Sequence, residues 1–396
     1  MQDSDKATAR SIEWLERLVR IDTTSRNSNL GLIEEVRDFL RRYGFAFELT
    51  YDRSGRKANL FATLADVYGG LSGGLLLSGH SDVVPVDGQS WDSDPFELTR
   101  RDERLYGRGA CDMKGFIASV LALVERVPAE GLRSPLHIAL SYDEEIGCRG
   151  APAMIEAFTR RGVRPDGCLI GEPSDMTPVI AHKGINIYRC AVIGVAAHSS
   201  LTTHGVNAAE YAARLIVFIH DIANQFAISG PRDDQFDVPF TTAATCMVNG
   251  GIAVNSLPAL CEFSFEYRNL PEVDPVPILL TIQRHVREVL LPEMRLTSRD
   301  CDIEFEEIAC APAFHGSVDA LVTRWVLALT KAALFRKVAY GSEAGQFQEA
   351  GVPTIICGPG SIDQAHRANE FVTVDQMRKC NVLLQGLLTC LAEDEP

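Results

Sequence analysis

The chain is short of positive charge: 38 Lys and Arg stand against 53 Asp and Glu, a formal charge of −15 over 396 residues. That balance leaves no basic face to neutralise phosphates, which argues against nucleic acid and against an anionic membrane surface as partners. No apolar run approaches the ~20 residues that a membrane span requires. The opening stretch, Met1-Gln2-Asp3-Ser4-Asp5-Lys6, lacks the charged-then-apolar plan of a secretory leader. A cytoplasmic enzyme or binding protein is therefore the expectation. Paired-thiol chemistry is missing too. There are 11 cysteines, an odd number with no C-x-x-C spacing, and Cys190, Cys246, Cys261 and Cys357 fall inside apolar runs, as reduced core residues do. Neither an internal repeat nor a low-complexity segment occurs.

What is present is a globular composition, 46% apolar and 23% charged, in a length that accommodates two ordinary domains. The stretch Leu75-Leu76-Leu77-Ser78-Gly79-His80-Ser81-Asp82 is an apolar run ending in a histidine and an aspartate two residues apart. Such a run reads as a strand of a parallel sheet buried on both faces, and open sheets of that kind carry their chemistry beyond the carboxyl ends of the strands. Residues i and i+2 of an extended segment point the same way, so the Asp82 carboxylate is expected to accept the free ring N–H of His80, the usual support of a metal-binding histidine. Equivalent places follow. Leu136–Ser141 reads as a strand ending in Asp143-Glu144-Glu145, and Gly167–Gly171 as one ending in Glu172. Asp112 precedes an amphipathic run from Phe116 to Val127 and reads as the cap or first turn of a helix, while the stretches around Trp91 and Leu105 read as loops. A capping Asp, a solvated acidic turn or a locally satisfied core histidine would each be ordinary alone. Their shared placement after strands or at a helix start is not.

From about His182 the texture changes to strand, long amphipathic helix, two strands, helix and strand, the β-α-β-β-α-β order of a ferredoxin-like domain. The expected division is 1–181 as the first segment of a catalytic domain, 182–312 as the inserted domain, and 313–396 as the second catalytic segment. That last segment brings the strand Pro353–Gly358 and then His366 back to the same sheet edge.

With these residues in place the sequence closely resembles the M20 family of metal-dependent amidohydrolases and peptidases. The marks are Ser78-Gly79-His80-Ser81-Asp82-Val83-Val84-Pro85, Leu105-Tyr106-Gly107-Arg108-Gly109-Ala110-Cys111-Asp112-Met113-Lys114-Gly115, Asp143-Glu144-Glu145-Ile146-Gly147, Gly171-Glu172-Pro173-Ser174 and Cys357-Gly358-Pro359-Gly360 leading to Ala365-His366. The resemblance implies a zinc-hydrolase-type α/β catalytic domain with a mostly parallel sheet, and an inserted domain serving as lid and as homodimer surface. It implies two Zn²⁺ ions, with Co²⁺ or Mn²⁺ as substitutes: His80 and Glu172 on one, Glu145 and His366 on the other, Asp112 bridging, Asp82 orienting His80, and Glu144 acting as base. From the inserted domain, His198 would reach the scissile carbonyl of an N-acetyl amino acid, in this subunit or the partner, and Asn255 and Arg268 would bind substrate. Glu343, in Gly341-Ser342-Glu343-Ala344-Gly345, would favour a cationic side chain. Ser342, where Thr is usual, and Arg367-Ala368-Asn369-Glu370, a loose version of the expected run, are departures expected to bear on substrate rather than metals. Two alternatives stay open: a relative acting on another N-acyl amino acid, and a metal-binding scaffold without chemistry, against which the retention of Glu144 argues.

Overall fold

The computed structural model describes residues 2–393. The apolar run before His80 forms the strand Leu75–His80, every residue of it buried. Leu136–Ser141 lies parallel to it on one side and Gly167–Pro173 on the other, and Thr354–Gly358 joins parallel beyond the latter. All four strands are buried along their length, which is why they read as continuous apolar runs rather than alternating ones. Antiparallel strands extend the nine-stranded sheet: Ala46–Tyr51 and Ala58–Leu64 beyond Leu136–Ser141, and Val179–His182 beyond Thr354–Gly358. The expected α/β architecture with a mostly parallel central sheet is the one observed. His80 pairs with Ser141, so those two strands end level and the acidic turn after Ser141 opens beside His80.

The helix Lys114–Val124 departs from the expected amphipathic pattern, because every one of its residues is buried. It packs against the sheet on one side and against Gln2–Val19 and Val374–Ala392 on the other, with Trp14, Phe116, Ile117, Leu121 and Leu384 in the shared core. A helix that is apolar nearly all round belongs inside a layer, not on its surface. Burying a side chain such as Phe116 contributes roughly 1.5–3 kcal/mol. The stretches read as loops also hold short strands, Thr99–Arg101 and Arg104–Tyr106, joined by Phe371–Thr373 in a three-stranded antiparallel sheet. Three-residue strands are too short to show alternation, so nothing in the sequence announces them.

The chain divides into two compact units, the first comprising 1–181, 314–336 and 342–396, and the second 182–313 with 337–341. In the second unit the spatial strand order is Thr242–Gly250, Leu260–Arg268, Ile185–Ile193, Asp302–Ala311, antiparallel throughout. With the helices Ala208–Ser229 and Val276–His285 placed between strands in the chain, this is the expected ferredoxin-like βαββαβ arrangement. Asn207 caps the first helix, its side chain accepting the Ala209 and Glu210 N–H groups. The second continues through a π-helical turn, Val286–Leu290, into Leu291–Arg295, where Pro292 has no N–H for an i→i−4 bond. Lys337 reaches Asp233 at 2.6 Å, which ties the short return 337–341 to this unit. Cys246 is exposed on its strand and not in a core. No helix among the described residues is long and apolar enough to cross a membrane.

One close approach sets the height of the sheet edge. A Cβ at Gly171 would lie 1.9 Å from Phe116 Cγ, so only glycine lets the strand that carries Glu172 touch this helix. Gly171→Ala is expected to destabilise the protein by about 1–3 kcal/mol through overpacking, read as a lower thermal midpoint. An unchanged midpoint would mean that Phe116 yields freely and that this contact does not set the strand position.

Candidate metal centre

The carboxyl ends of the four parallel strands deliver the residues of the site in spatial order: Glu144 and Glu145, then His80, then Glu172, then the loop that leads to His366. Asp112 enters between them. Its Oδ1 lies 3.0 Å from His80 Nε2 and its Oδ2 3.4 Å from His366 Nε2. Glu172 Oε1 is 3.8 Å from the same nitrogen of His80, and Glu145 Oε2 is 2.8 Å from that of His366. Two groups result that could each hold a metal ion, His80–Asp112–Glu172 and Asp112–Glu145–His366, sharing Asp112. Asp112 is not the expected cap: the helix begins at Lys114 after Met113, and no side chain caps it. Its carboxylate is engaged by the two imidazoles instead.

The support of His80 also differs from expectation. Its Nδ1 lies 2.9 Å from the backbone carbonyl oxygen of Asp82, whereas the nearer carboxylate oxygen is 3.7 Å away. The Asp82 carboxylate accepts the Ser25 hydroxyl at 2.7 Å and the N–H groups of Glu144 and Glu145 at 3.1 and 3.3 Å. So Asp82 ties the His80 strand to the acidic turn: its carbonyl fixes the ring and its side chain fixes the two glutamates. Asp143, which starts that turn, has φ +56° and is held by Lys57 Nζ, which also donates to the Ser25 carbonyl. Glu144 belongs to neither cluster. Its Oε1 accepts the Cys148 thiol at 3.3 Å.

Burial raises Glu172 well above the usual carboxylate range, with the charge of Asp112 adding to it. The same cause pushes Glu145 up to about 7 and Glu144 up to about 8. Burial also opposes ionisation of Asp112, but hydrogen bonds from His366 and His80 outweigh it and hold the carboxyl low. For His80, burial is overcome by the bond to Asp112 and the charge of Glu172, so the ring is raised. His366, bonded to Asp112 and Glu145, rises to about 10. Carboxylates crowded in low dielectric hold protons only for want of stronger cations. Two imidazoles and three carboxylates, with Asp112 facing both ways, are a donor set that fits a pair of divalent ions of borderline N/O preference.

The remaining expected residues fall in different places. In the second unit, Ala197–His198 pairs with Ser256–Leu257, and the Asn255 carbonyl accepts the Ser199 N–H at 2.9 Å. His198 and Asn255 are therefore neighbours on an exposed corner, with His198 Nδ1 2.8 Å from Ser200 Oγ. Arg268 is 28% exposed and engages Glu266 through Nε and Nη2, both at 3.2 Å. Glu343, in the first unit, is only 2% exposed, and its Oε1 has no hydrogen-bond partner. Burial pushes it up to about 7, with the Ser141 hydroxyl pulling the other way. The acid that sequence reasoning set aside is Glu370. It is buried and accepts the Asp112 N–H at 3.0 Å, so the run around it bears on the metal cluster. An acid four residues beyond His366 was the available signal.

Parallel strands that end in two His–carboxylate clusters sharing one aspartate make a site that could hold two divalent ions, the kind of centre that metal-dependent hydrolases use. The chain belongs to Peptidase family M20/M25/M40, matched over residues 76–389. It is 34% identical over 376 residues to acetylornithine deacetylase of Myxococcus xanthus, covering 93% of this chain and 94% of that protein. To acetylornithine deacetylase of Shigella sonnei (strain Ss046) it is 35% identical over 350 residues, 87% of this chain and 86% of the other. In fold it is similar to human carnosine dipeptidase 1, with a TM-score of 0.74 over 99% of this chain and 98% of that one at 17% identity.

Proposed function

We propose that this protein hydrolyses the acetyl amide of N2-acetyl-L-ornithine to L-ornithine and acetate, a step of arginine biosynthesis. The observation that carries the hydrolytic reading is Asp112, with one oxygen toward His80 and the other toward His366, and Glu144 set beside the pair but in neither cluster. The choice of acyl group and amino acid is supported by the names of relatives about one third identical over most of the chain.

His80, Asp112 and Glu172 would hold one divalent ion and Asp112, Glu145 and His366 the other, Zn²⁺ in the first place with Co²⁺ or Mn²⁺ as substitutes. Bound there, the ions would supply Lewis acidity and lower the pKa of water at the site. Glu144 would accept a proton from the attacking water as its oxygen adds to the carbonyl carbon. It then returns the proton to the departing amine nitrogen as the C–N bond breaks, leaving acetate and the free amino acid. Burial raises the Glu144 carboxyl to about 8, and cationic charge at the site would lower it. Asp82 keeps the assignment rigid, because it binds the backbone N–H groups of both glutamates.

On the substrate side, His198 would reach the scissile carbonyl, in this subunit or the partner, and Asn255 would bind substrate. Arg268, with Nε and Nη2 on Glu266, keeps Nη1 for the α-carboxylate. Glu343 is closed from solvent and would favour a cationic side chain through its field. The same reading carries a homodimer formed on the edge strand Thr242–Gly250, where Met247 and Val248 are exposed and one row of backbone groups faces outward.

Three outcomes test these statements. Glu144→Gln should keep full metal content and lose about 10²–10⁴-fold in kcat, while Glu145→Gln loses one metal equivalent on dialysis and recovers part of its activity in excess Zn²⁺. Normal turnover by Glu144→Gln would contradict the assigned base. N-acetylornithine should exceed N-acetylleucine and N-acetylmethionine in kcat/KM by about tenfold or more, the effect of one contact of ~1.4 kcal/mol. Equal efficiency would remove the ornithine assignment, and a preference for succinyl-diaminopimelate would move the protein to a neighbouring activity. In sedimentation the wild-type chain should run as a dimer and Val248→Arg as a monomer. A wild-type monomer at micromolar concentration would contradict the edge-strand interface.

A further inference from the structure

We infer that Glu370, Arg108 and Gln89 form a positioning unit that sets where Asp112 and His366 stand relative to each other; the inference rests on the reading of those two residues as metal ligands. The Glu370 carboxylate is buried and saturated. Its Oε1 accepts the N–H groups of Cys111 and Asp112 at 2.8 and 3.0 Å, and its Oε2 accepts the Gly109 N–H at 3.1 Å and Arg108 Nη1 at 2.6 Å. Three backbone amides of one loop converging on a single side chain leave that loop one shape, and Asp112 is its last member.

The other arm leads to His366. Arg108, 1% exposed, turns its Nη2 to Gln89 Oε1 at 2.6 Å, and Gln89 Nε2 donates to the backbone carbonyl of His366 at 2.8 Å. Trp91 closes this arm, with Nε1 3.1 Å from Gln89 Oε1 and its ring under the Arg108 guanidinium at 5.2 Å. The chain itself completes the ring, since His366 and Glu370 are four residues apart, and the pairing of Phe371 with Tyr106 sets Glu370 against Gly107, whose N–H donates to the Glu370 carbonyl at 3.0 Å. His366 needs such a hold. It has φ +64°, in the left-handed region, and its side chain is 55% exposed, so neither packing nor backbone preference fixes the ring.

A buried Arg–Glu pair is a poor source of net stability, because desolvation offsets most of the attraction. What it supplies here is geometry: Asp112 and His366, two of the three residues of the Asp112–Glu145–His366 cluster, hang from one carboxylate. Outer partners of metal ligands usually change metal affinity by 10–100-fold when removed. Because Asp112 belongs to both clusters and His366 to one, a change of that size is expected at both ions when Glu370 is replaced, and at one ion when Gln89, which reaches only His366, is replaced.

The test titrates Zn²⁺ into chelator-stripped wild type, Glu370→Gln and Gln89→Ala against a chromophoric chelator, beside the thermal midpoint of each metal-free protein. Wild type is expected to take two equivalents. In Gln89→Ala one equivalent should weaken by about 10–100-fold while the other holds, and in Glu370→Gln both should weaken. Because Gln89 is only partly buried, its variant should keep the metal-free midpoint of wild type, which a purely structural role could not combine with lost affinity. Two equivalents in wild type with unchanged affinity in both variants, or a lowered midpoint without loss of affinity, would overturn the positioning role alone. A wild-type chain that takes up no Zn²⁺ would overturn the ligand reading beneath it and this inference together.

Discussion

The structure depends on one carboxylate shared between two imidazoles. Asp112 lies between His80 and His366, 3.0 and 3.4 Å from their Nε2 atoms, and each imidazole brings a further glutamate. Placing Asp112, Glu144, Glu145 and Glu172 together at a sheet edge is costly in low dielectric unless cations sit among them. The surroundings make sense as devices for holding that charge in one geometry. Asp82 ties the His80 strand to the acidic turn, Lys57 holds Asp143, and Glu370 gathers the amides that lead to Asp112. Gly171 lets the Glu172 strand sit against Phe116, which fixes the height at which the last carboxylate emerges.

This arrangement also explains why the sheet is parallel at its centre. Parallel neighbours all end at the same edge, so residues far apart in the chain arrive together: 80, 145, 172 and 366 are adjacent because their strands are. An antiparallel sheet would have sent every other one to the opposite side. The second unit, built on an antiparallel sheet with one edge strand rich in exposed apolar residues, has a separate core, and among the described residues neither metal cluster draws on it.

The parallel strands, the acids at their ends and the ferredoxin-like insertion were legible because they rest on local signals: apolar runs of strand length, acids directly after them, and helix periodicity. What was not legible rests on contacts distant in sequence. Nothing near Asp82 says that its carbonyl and not its carboxylate faces His80, since the competing donors are Ser25 and the amides of Glu144 and Glu145. Asp112 looked like a cap because a helix follows, but His366, more than 250 residues on, takes its side chain. The burial of Lys114–Val124 on every side could not be told from an amphipathic pattern without knowing that two further helices cover it. Glu370 was passed over because its partners are backbone N–H groups of a loop 258–261 residues away, which leave no mark on side-chain spacing.

The most direct measurement is anomalous scattering at the zinc edge from crystals of the full chain grown with Zn²⁺. Two peaks per chain are expected, one among His80, Asp112 and Glu172 and one among Asp112, Glu145 and His366, with a separate Asp112 oxygen on each. A single peak, or two peaks with Asp112 touching only one, would contradict the sharing of this carboxylate between two ions.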